Sequence, residues 1–243
     1  MALYWQALPI LRQVAGELGL VSPATVVGLN DVQSSQLLSL LNAAGNELQL
    51  YYPWEQFTGE WSFDTVPDQD EYDLPVDLAY FKDQTQWDRT NHWPLLGPKS
   101  PQEWAYLKGS LVAPLPRVRY RIAGNKFKIY PNLTSTSTPS TIHIAMEYVS
   151  KNWITTALGD MADMITLDSD VLMYNPWLLI KFVKLKFYEL KGLSTTAVQA
   201  DFMRIFTSLT GKDTGAEILS LSPRATPQLI GPWSIPDGSW QVV

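Results

Sequence analysis

The hydrophobic period of this chain changes twice, from helical at the start to alternating in the middle and back to helical near the end, and a fold must respect that order. The first helix is expected from Pro9 to Leu18, with Leu11, Val14, Ala15 and Leu18 on one face and Gly19 at its end. A second is expected after Asn30, whose side chain can cap while Gln33 reaches back. Its apolar positions are Leu37, Leu38, Leu40, Leu41, Ala44 and Leu48, and Pro53 blocks extension much past Tyr51. Near the other end, Asn175-Pro176 places a cap ahead of a proline whose missing N–H is harmless, so a helix runs to about Leu190. Gly192 supplies its left-handed stop and Ser194 caps the next helix, which Gly211 ends after Phe202, Ile205, Phe206 and Leu209.

Between Glu55 and Thr156 short alternating segments are separated by Pro, Gly, Asn and Asp, the pattern of strands and turns. The clearest runs are Arg117 to Ile122 and Lys126 to Tyr130 around Gly124-Asn125. A two-residue turn there sets Ile122 opposite Phe127, Tyr120 opposite Ile129 and Arg121 opposite Lys128, whereas a three-residue loop mixes the faces. Thr141 to Tyr148 alternates again, after a Thr/Ser/Pro loop from Leu133 to Ser140, and predicts a third strand. The expected class is α+β: a discontinuous helical bundle of residues 1–54 plus 160–222, an inserted antiparallel β domain over 55–159, and an extended Pro-rich tail over 223–243. In the tail, prolines space Leu229, Ile230, Trp233, Ile235 and Trp240. Each forgoes ~1.5–3 kcal/mol if left in water, so another surface is expected to cover them.

At 243 residues, 46% apolar and 17% charged, the chain can bury a core without disulfides. The absence of cysteine removes thiolate zinc sites, iron–sulfur clusters and a cysteine nucleophile, leaving His92 and His143 as the imidazoles. The chain holds no phosphate-binding Gly-rich loop, no Gly-x-Gly-x-x-Gly, no His-Glu-x-x-His and no Gly-x-Ser-x-Gly. Neither a cofactor nor an enzymatic activity is expected. Asp168-Ser169-Asp170 reads as helix N-terminal charge rather than a metal pair, and the acids from Asp68 to Asp73 read as a solvated turn rather than glycosidase carboxylates. His143 belongs to a strand face, and His92 packs among Trp87, Trp93 and Pro94. The ten tryptophans suit core and interface anchoring better than a sugar platform. The start shows no secretory signal, and the apolar run from Val171 to Leu190 is broken by Lys181, Lys184 and Lys186. It reads as a buried or interface helix, and a soluble protein is expected.

Charge is segregated. From Asp31 to Phe81 there are ten acids and no Lys or Arg, while Lys82 to Tyr130 holds nine bases against three acids. Such a reversal can join two parts of one subunit, match neighbouring subunits, or mark two separately solvated surfaces. Arg121 facing Lys128 is a like-charge pair that calls for an acidic neighbour or a phosphate. A net charge of −6 favours an acidic protein surface over a nucleic-acid backbone. The interface candidates are therefore Arg117, Arg119, Arg121, Lys126 and Lys128, the acids Asp70, Glu71 and Asp73, and Leu229, Ile230, Trp233, Ile235 and Trp240 of the tail.

Several short motifs occur in sequence order. They are Asp31-Val32-Gln33 with Gln36-Leu37-Leu38-Ser39-Leu40-Leu41-Asn42, Tyr72-Asp73-Leu74-Pro75-Val76-Asp77, and Trp87 followed by Pro94-Leu95-Leu96-Gly97-Pro98. Tyr120-Arg121-Ile122, Ile129-Tyr130-Pro131, Tyr148 and Leu167-Asp168-Ser169-Asp170-Val171 follow, then the helix with Lys184 and Gly192. Over roughly residues 30–221 this order resembles the head-to-tail adaptors of short-tailed bacteriophages, also called tail tubular protein A. The resemblance implies a non-enzymatic virion protein of the neck, made in the host cytoplasm. It would assemble, usually as twelve copies, into a homo-oligomeric ring between the portal protein and a tail tubular protein B-like nozzle. The implied ring continues the DNA channel during genome retention and ejection; DNA passes without specific binding, a tail fibre is among the neighbours, and no membrane is involved. It further implies a helical bundle for ring packing and portal docking, a β insert facing the tail side, and a terminal tail reaching the portal or a neighbouring subunit. The residues alone leave two other classes open, a carbohydrate-binding module using Trp87 or Trp93 and a cell-wall glycoside hydrolase using acids between Glu55 and Asp77.

Overall fold

The computed structural model describes residues 4–28, 31–109, 117–137 and 139–213. The elements begin with β1 (Trp5–Gln6), α1 (Ala7–Leu18), α2 (Val32–Tyr51), β2 (Thr58–Asp64), β3 (Glu71–Asp73) and β4 (Leu78–Phe81). Next come β5 (Trp87–Asp88), β6 (Trp93–Pro94), α3 (Pro101–Gly109), β7 (Arg119–Ala123) and β8 (Lys126–Tyr130). The series closes with β9 (His143–Ser150), β10 (Ile154–Thr155), β11 (Met161–Ala162), β12 (Val171–Leu172), α4 (Pro176–Leu190) and α5 (Thr196–Asp213). Helices and antiparallel sheets make the class α+β, and the described residues fall into two compact units, residues up to 58 with 149–213 and residues 59–148.

In the first unit α4 is the central helix, in contact with α1, α2 and α5. Asn175 caps it by accepting from the Trp177 N–H at 3.0 Å, and Gly192, with φ +66°, follows its end. Leu178, Leu179, Ile180 and Val183 are fully buried against Ile10, Leu11 and Val14 of α1 and Leu37, Leu41 and Leu48 of α2. The lysines that interrupt the apolar run lie at its rim: Lys181 and Lys184 bond Glu17 at 2.8 and 3.1 Å, and Lys186 bonds Glu47 at 2.6 Å. No helix among the described residues is long and apolar enough to cross a membrane. A small sheet in the order β1-β12-β10-β11 completes this unit.

Helix ends depart from the expected caps in three places. The α2 cap is Asp31, whose carboxylate accepts from the backbone N–H and hydroxyl of Ser34; the expected cap, Asn30, lies outside the described residues. These bonds hold the Asp31 carboxyl below its ordinary range, and a charged cap also suits the positive end of the helix. At α5 the first turn closes on the Thr195 carbonyl, one residue after Ser194, with Gln199 donating at 2.8 Å. Gly211 does not stop α5, which continues to Asp213; an isolated glycine costs a helix only about 1 kcal/mol, which the packing of the rest can offset.

The second unit holds two sheets. β7 and β8 pair in the two-residue register, Ile122 with Phe127, Tyr120 with Ile129 and Arg121 with Lys128. Gly124 and Asn125 take the positive φ values, +65° and +57°, that such a turn requires. β3 joins β8 from the far side, giving the order β3-β8-β7. The expected third strand is β9, and it enters the other sheet, pairing with β2, β4 and β5. Phe127, Ile129, Ile142, Ile144 and Met146 form the buried centre, with Tyr120 stacked on Phe127 at 5.1 Å.

Candidate interaction surfaces

Alternation across β3-β8-β7 puts Tyr72 and Phe127 toward the core and leaves the opposite face charged. Glu71, Lys128 and Arg121 form one row on that face, and Asp73 and Lys126 form the next. Glu71 is ion-paired with Lys128, Asp73 with Lys126, and Asp70 with Lys108 of α3 at 3.5 Å. The acidic and basic blocks thus meet inside one chain, and Asp70, Glu71, Asp73, Lys126 and Lys128 are engaged with one another or with α3. Arg117 and Arg119 are buried. The Arg117 guanidinium lies 5.9 Å from the Trp93 ring centroid, and Arg119 donates to the Arg117 carbonyl at 3.3 Å. Arg121 is half-buried at the end of the row, with Lys128 as its cross-strand neighbour. Leu229, Ile230, Trp233, Ile235 and Trp240 lie outside the described residues.

The acids between Glu55 and Asp77 do not converge on a cleft. Glu60 pairs with Arg89 at 2.7 Å, Asp64 bonds His143 Nδ1 at 2.8 Å, and Asp77 accepts from the Tyr148 hydroxyl at 3.2 Å. Among the described residues no three His, Asp or Glu side chains are grouped to hold a metal ion. The pair before α4 organises loops instead of charging the helix terminus: Asp168 accepts from the Val26 and Val27 N–H groups, and Asp170 from those of Thr166 and Leu167. A cavity of about 410 Å3 opens beside Trp87, lined also by Glu60, Gln84, Asp88, His92 and Glu147. Trp87 is 42% exposed there and could offer a ring face to a sugar.

A second concavity of about 410 Å3, not foreshadowed by any motif in the sequence, forms where α2, α4 and α5 meet. Phe182, Leu185 and Phe202 are its buried floor, Tyr51 and Met203 are exposed walls, and Phe206 lies 5.7 Å from Phe202. Its polar edge includes Lys186, which is bonded to Glu47 and lies 4.9 Å from the Phe182 ring. The helical stripe marks Phe202 and Phe206 but not Tyr51 or Met203; the off-stripe run Leu50-Tyr51 at the end of α2 is the available signal.

A family model described as SU10 adaptor protein matches residues 7–226 of the chain. No curated protein matches it.

Proposed function

The chain belongs to the SU10 adaptor protein family, a family of phage adaptors, and on that premise we propose that it is a structural protein of the virion neck. In this reading copies of the chain close into a ring, twelve in number, between portal and tail nozzle, as a tail tubular protein A-like connector. The observation that carries the proposal is that the family match runs through both compact units, so the kinship concerns the whole architecture and not one module.

The mechanism is burial of surface. A ring needs a patch on one copy that meets a different patch on the next, and the rotation must close. Leu158, Met161, Met164 and Leu167 stand exposed along one stretch that includes β11, an edge strand. Exposed apolar side chains beside unpaired strand groups suit capture by a neighbour. The helical unit and the β unit are read as the bundle and insert of the connector. A net charge of −6 suits a channel wall that lets DNA slide, since tight phosphate binding requires cationic excess. The Trp87 cavity is the specific observation behind a second reading as a saccharide-binding module. The ring reading is preferred because it accounts for the family match.

Mixing the purified chain with the portal of the same phage is expected to give rings with a central pore in negative-stain images. Failure to bind the portal at every salt concentration overturns the proposal.

A further inference from the structure

The cavity beside Trp87 lies wholly within the β unit, on the outer face of its larger sheet. Trp87 of β5 pairs with Ala145 of β9, while the neighbouring Ile144 and Met146 belong to the buried core. The small Ala145 side chain, 1% exposed, leaves room at the cavity floor. Gln84 and His92 flank Trp87 in sequence, and both take the left-handed backbone region, with φ +62° and +60°. Such φ values are uncommon outside glycine and gather at ligand sites. The turn that carries His92 is fastened by Asp88, whose carboxylate accepts from the N–H groups of Thr90 and Asn91 at 2.9 and 3.0 Å.

The charges around the cavity are already matched. Glu60 pairs with Arg89 at 2.7 Å, Glu147 lies 4.0 Å from Lys82, and Asp88 is committed to its turn. A charged ligand would have to displace one of these partners, and a phosphate chain would meet carboxylates where it needs cations. A wholly apolar ligand would bury the same polar groups without replacing their water. Among the described residues the Gln84 amide and the His92 imidazole have no hydrogen-bond partner, so their donors and acceptors are open to a ligand. What satisfies a flat aromatic face and a rim of matched polar groups together is a neutral molecule with a C–H face and hydroxyls at its edge. At about 410 Å3 the cavity falls in the usual size range of small-molecule sites, ~300–1,000 Å3.

We propose that this cavity binds a neutral saccharide, with one sugar ring stacked on the Trp87 indole and its hydroxyls bonded by Gln84, His92 and the Glu60–Arg89 pair. The C–H face of a pyranose presents weak positive charge to the negative face of the indole. The proposal rests on the saccharide reading of this cavity and not on ring assembly: it gives the β unit of the neck protein a ligand site rather than moving the chain to another class.

A glycan array of neutral and charged oligosaccharides, probed with the labelled full chain, is expected to give signal on neutral glycans, and the strongest of them is then titrated by calorimetry. Trp87→Ala is expected to weaken that binding about tenfold, and Trp87→Phe, which keeps an aromatic face, to retain most of it. Gln84→Ala and His92→Ala are each expected to weaken it severalfold. Unchanged circular dichroism verifies the fold of each variant. If Trp87→Ala lowers the dichroism signal, the Gln84→Ala/His92→Ala double variant decides by the same titration, weakened binding supporting the proposal and unchanged affinity overturning it. A blank array, binding to charged glycans alone, or full affinity in a folded Trp87→Ala chain also overturns it. The glycan measurement needs no portal and the ring measurement no glycan, so either reading can fail without the other.

Discussion

Gly45 shows how a single position can reverse an intrinsic preference. It lies inside α2, where alanine is ordinarily favoured over glycine by about 1 kcal/mol. A Cβ at Gly45 would fall within the indole of Trp153, which is fully buried. That ring cannot swing aside freely, because its Nε1 donates to Asn46 Oδ1 at 2.8 Å and to the Asp163 carbonyl at 3.1 Å. The Tyr174 hydroxyl closes the same spot by donating to the Gly45 carbonyl at 3.1 Å. Crowding therefore outweighs propensity, and Gly45→Ala is expected to lower stability by about 1–3 kcal/mol in urea unfolding. Gly211 is the opposite case: nothing lies within 4 Å of its would-be Cβ, and Gly211→Ala is expected to raise stability by about 1 kcal/mol. Equal signs for the two substitutions would refute the account of Gly45.

Among the elements, the charged row Glu71–Lys128–Arg121 is built so that its last pair repels. Glu71 offsets Lys128 on one side, while Arg121 adds a like charge on the other. Arg121→Glu is expected to stabilise the chain by about 0.2–1 kcal/mol at low salt, with the gain shrinking as salt is added. Destabilisation by that change at low salt would mean that Arg121 already has a favourable role on this face. The β7–β8 register was legible in the sequence because a one-residue slip moves Ile122, Phe127 and Ile129 to the wrong face and because Gly124-Asn125 admits positive φ. The partner on the other side of β8 was not: Glu71 and Lys128 are far apart in the chain, and local alternation carries no information on which distant strand pairs. Segregated charge hinted at that meeting without choosing it over a contact between subunits. The groove was hidden for a related reason, since Tyr51, Phe182 and Met203 become neighbours only once three helices have packed. Helix caps missed by one residue where Asp31 and Thr195 compete with adjacent residues of similar chemistry.

Over the whole molecule, each compact unit carries its own core, and titration acts on the two from opposite ends of the pH scale. In the helical unit, burial pushes the Glu17 carboxyl up, but hydrogen bonds and charge from Lys181 and Lys184 outweigh it and hold the group below its ordinary value of 4.5. A lowered folded-state value means that this stabilisation is present above about pH 4.5 and is lost as pH falls through the lowered value. In the β unit, burial, with a smaller contribution from Asp83, pushes the Tyr120 hydroxyl up from 10 to about 12. A raised value has the opposite consequence: the stabilisation is complete below pH 10 and disappears as pH rises toward 12. Glu17→Gln is therefore expected to be less stable than the unaltered chain at neutral pH, with the gap closing in acid. Tyr120→Phe is expected to retain between pH 10 and 12 the stability that the unaltered chain loses. Urea unfolding across pH checks both, and a Tyr120→Phe curve parallel to that of the unaltered chain above pH 10 would show that the buried hydroxyl does not limit the alkaline side.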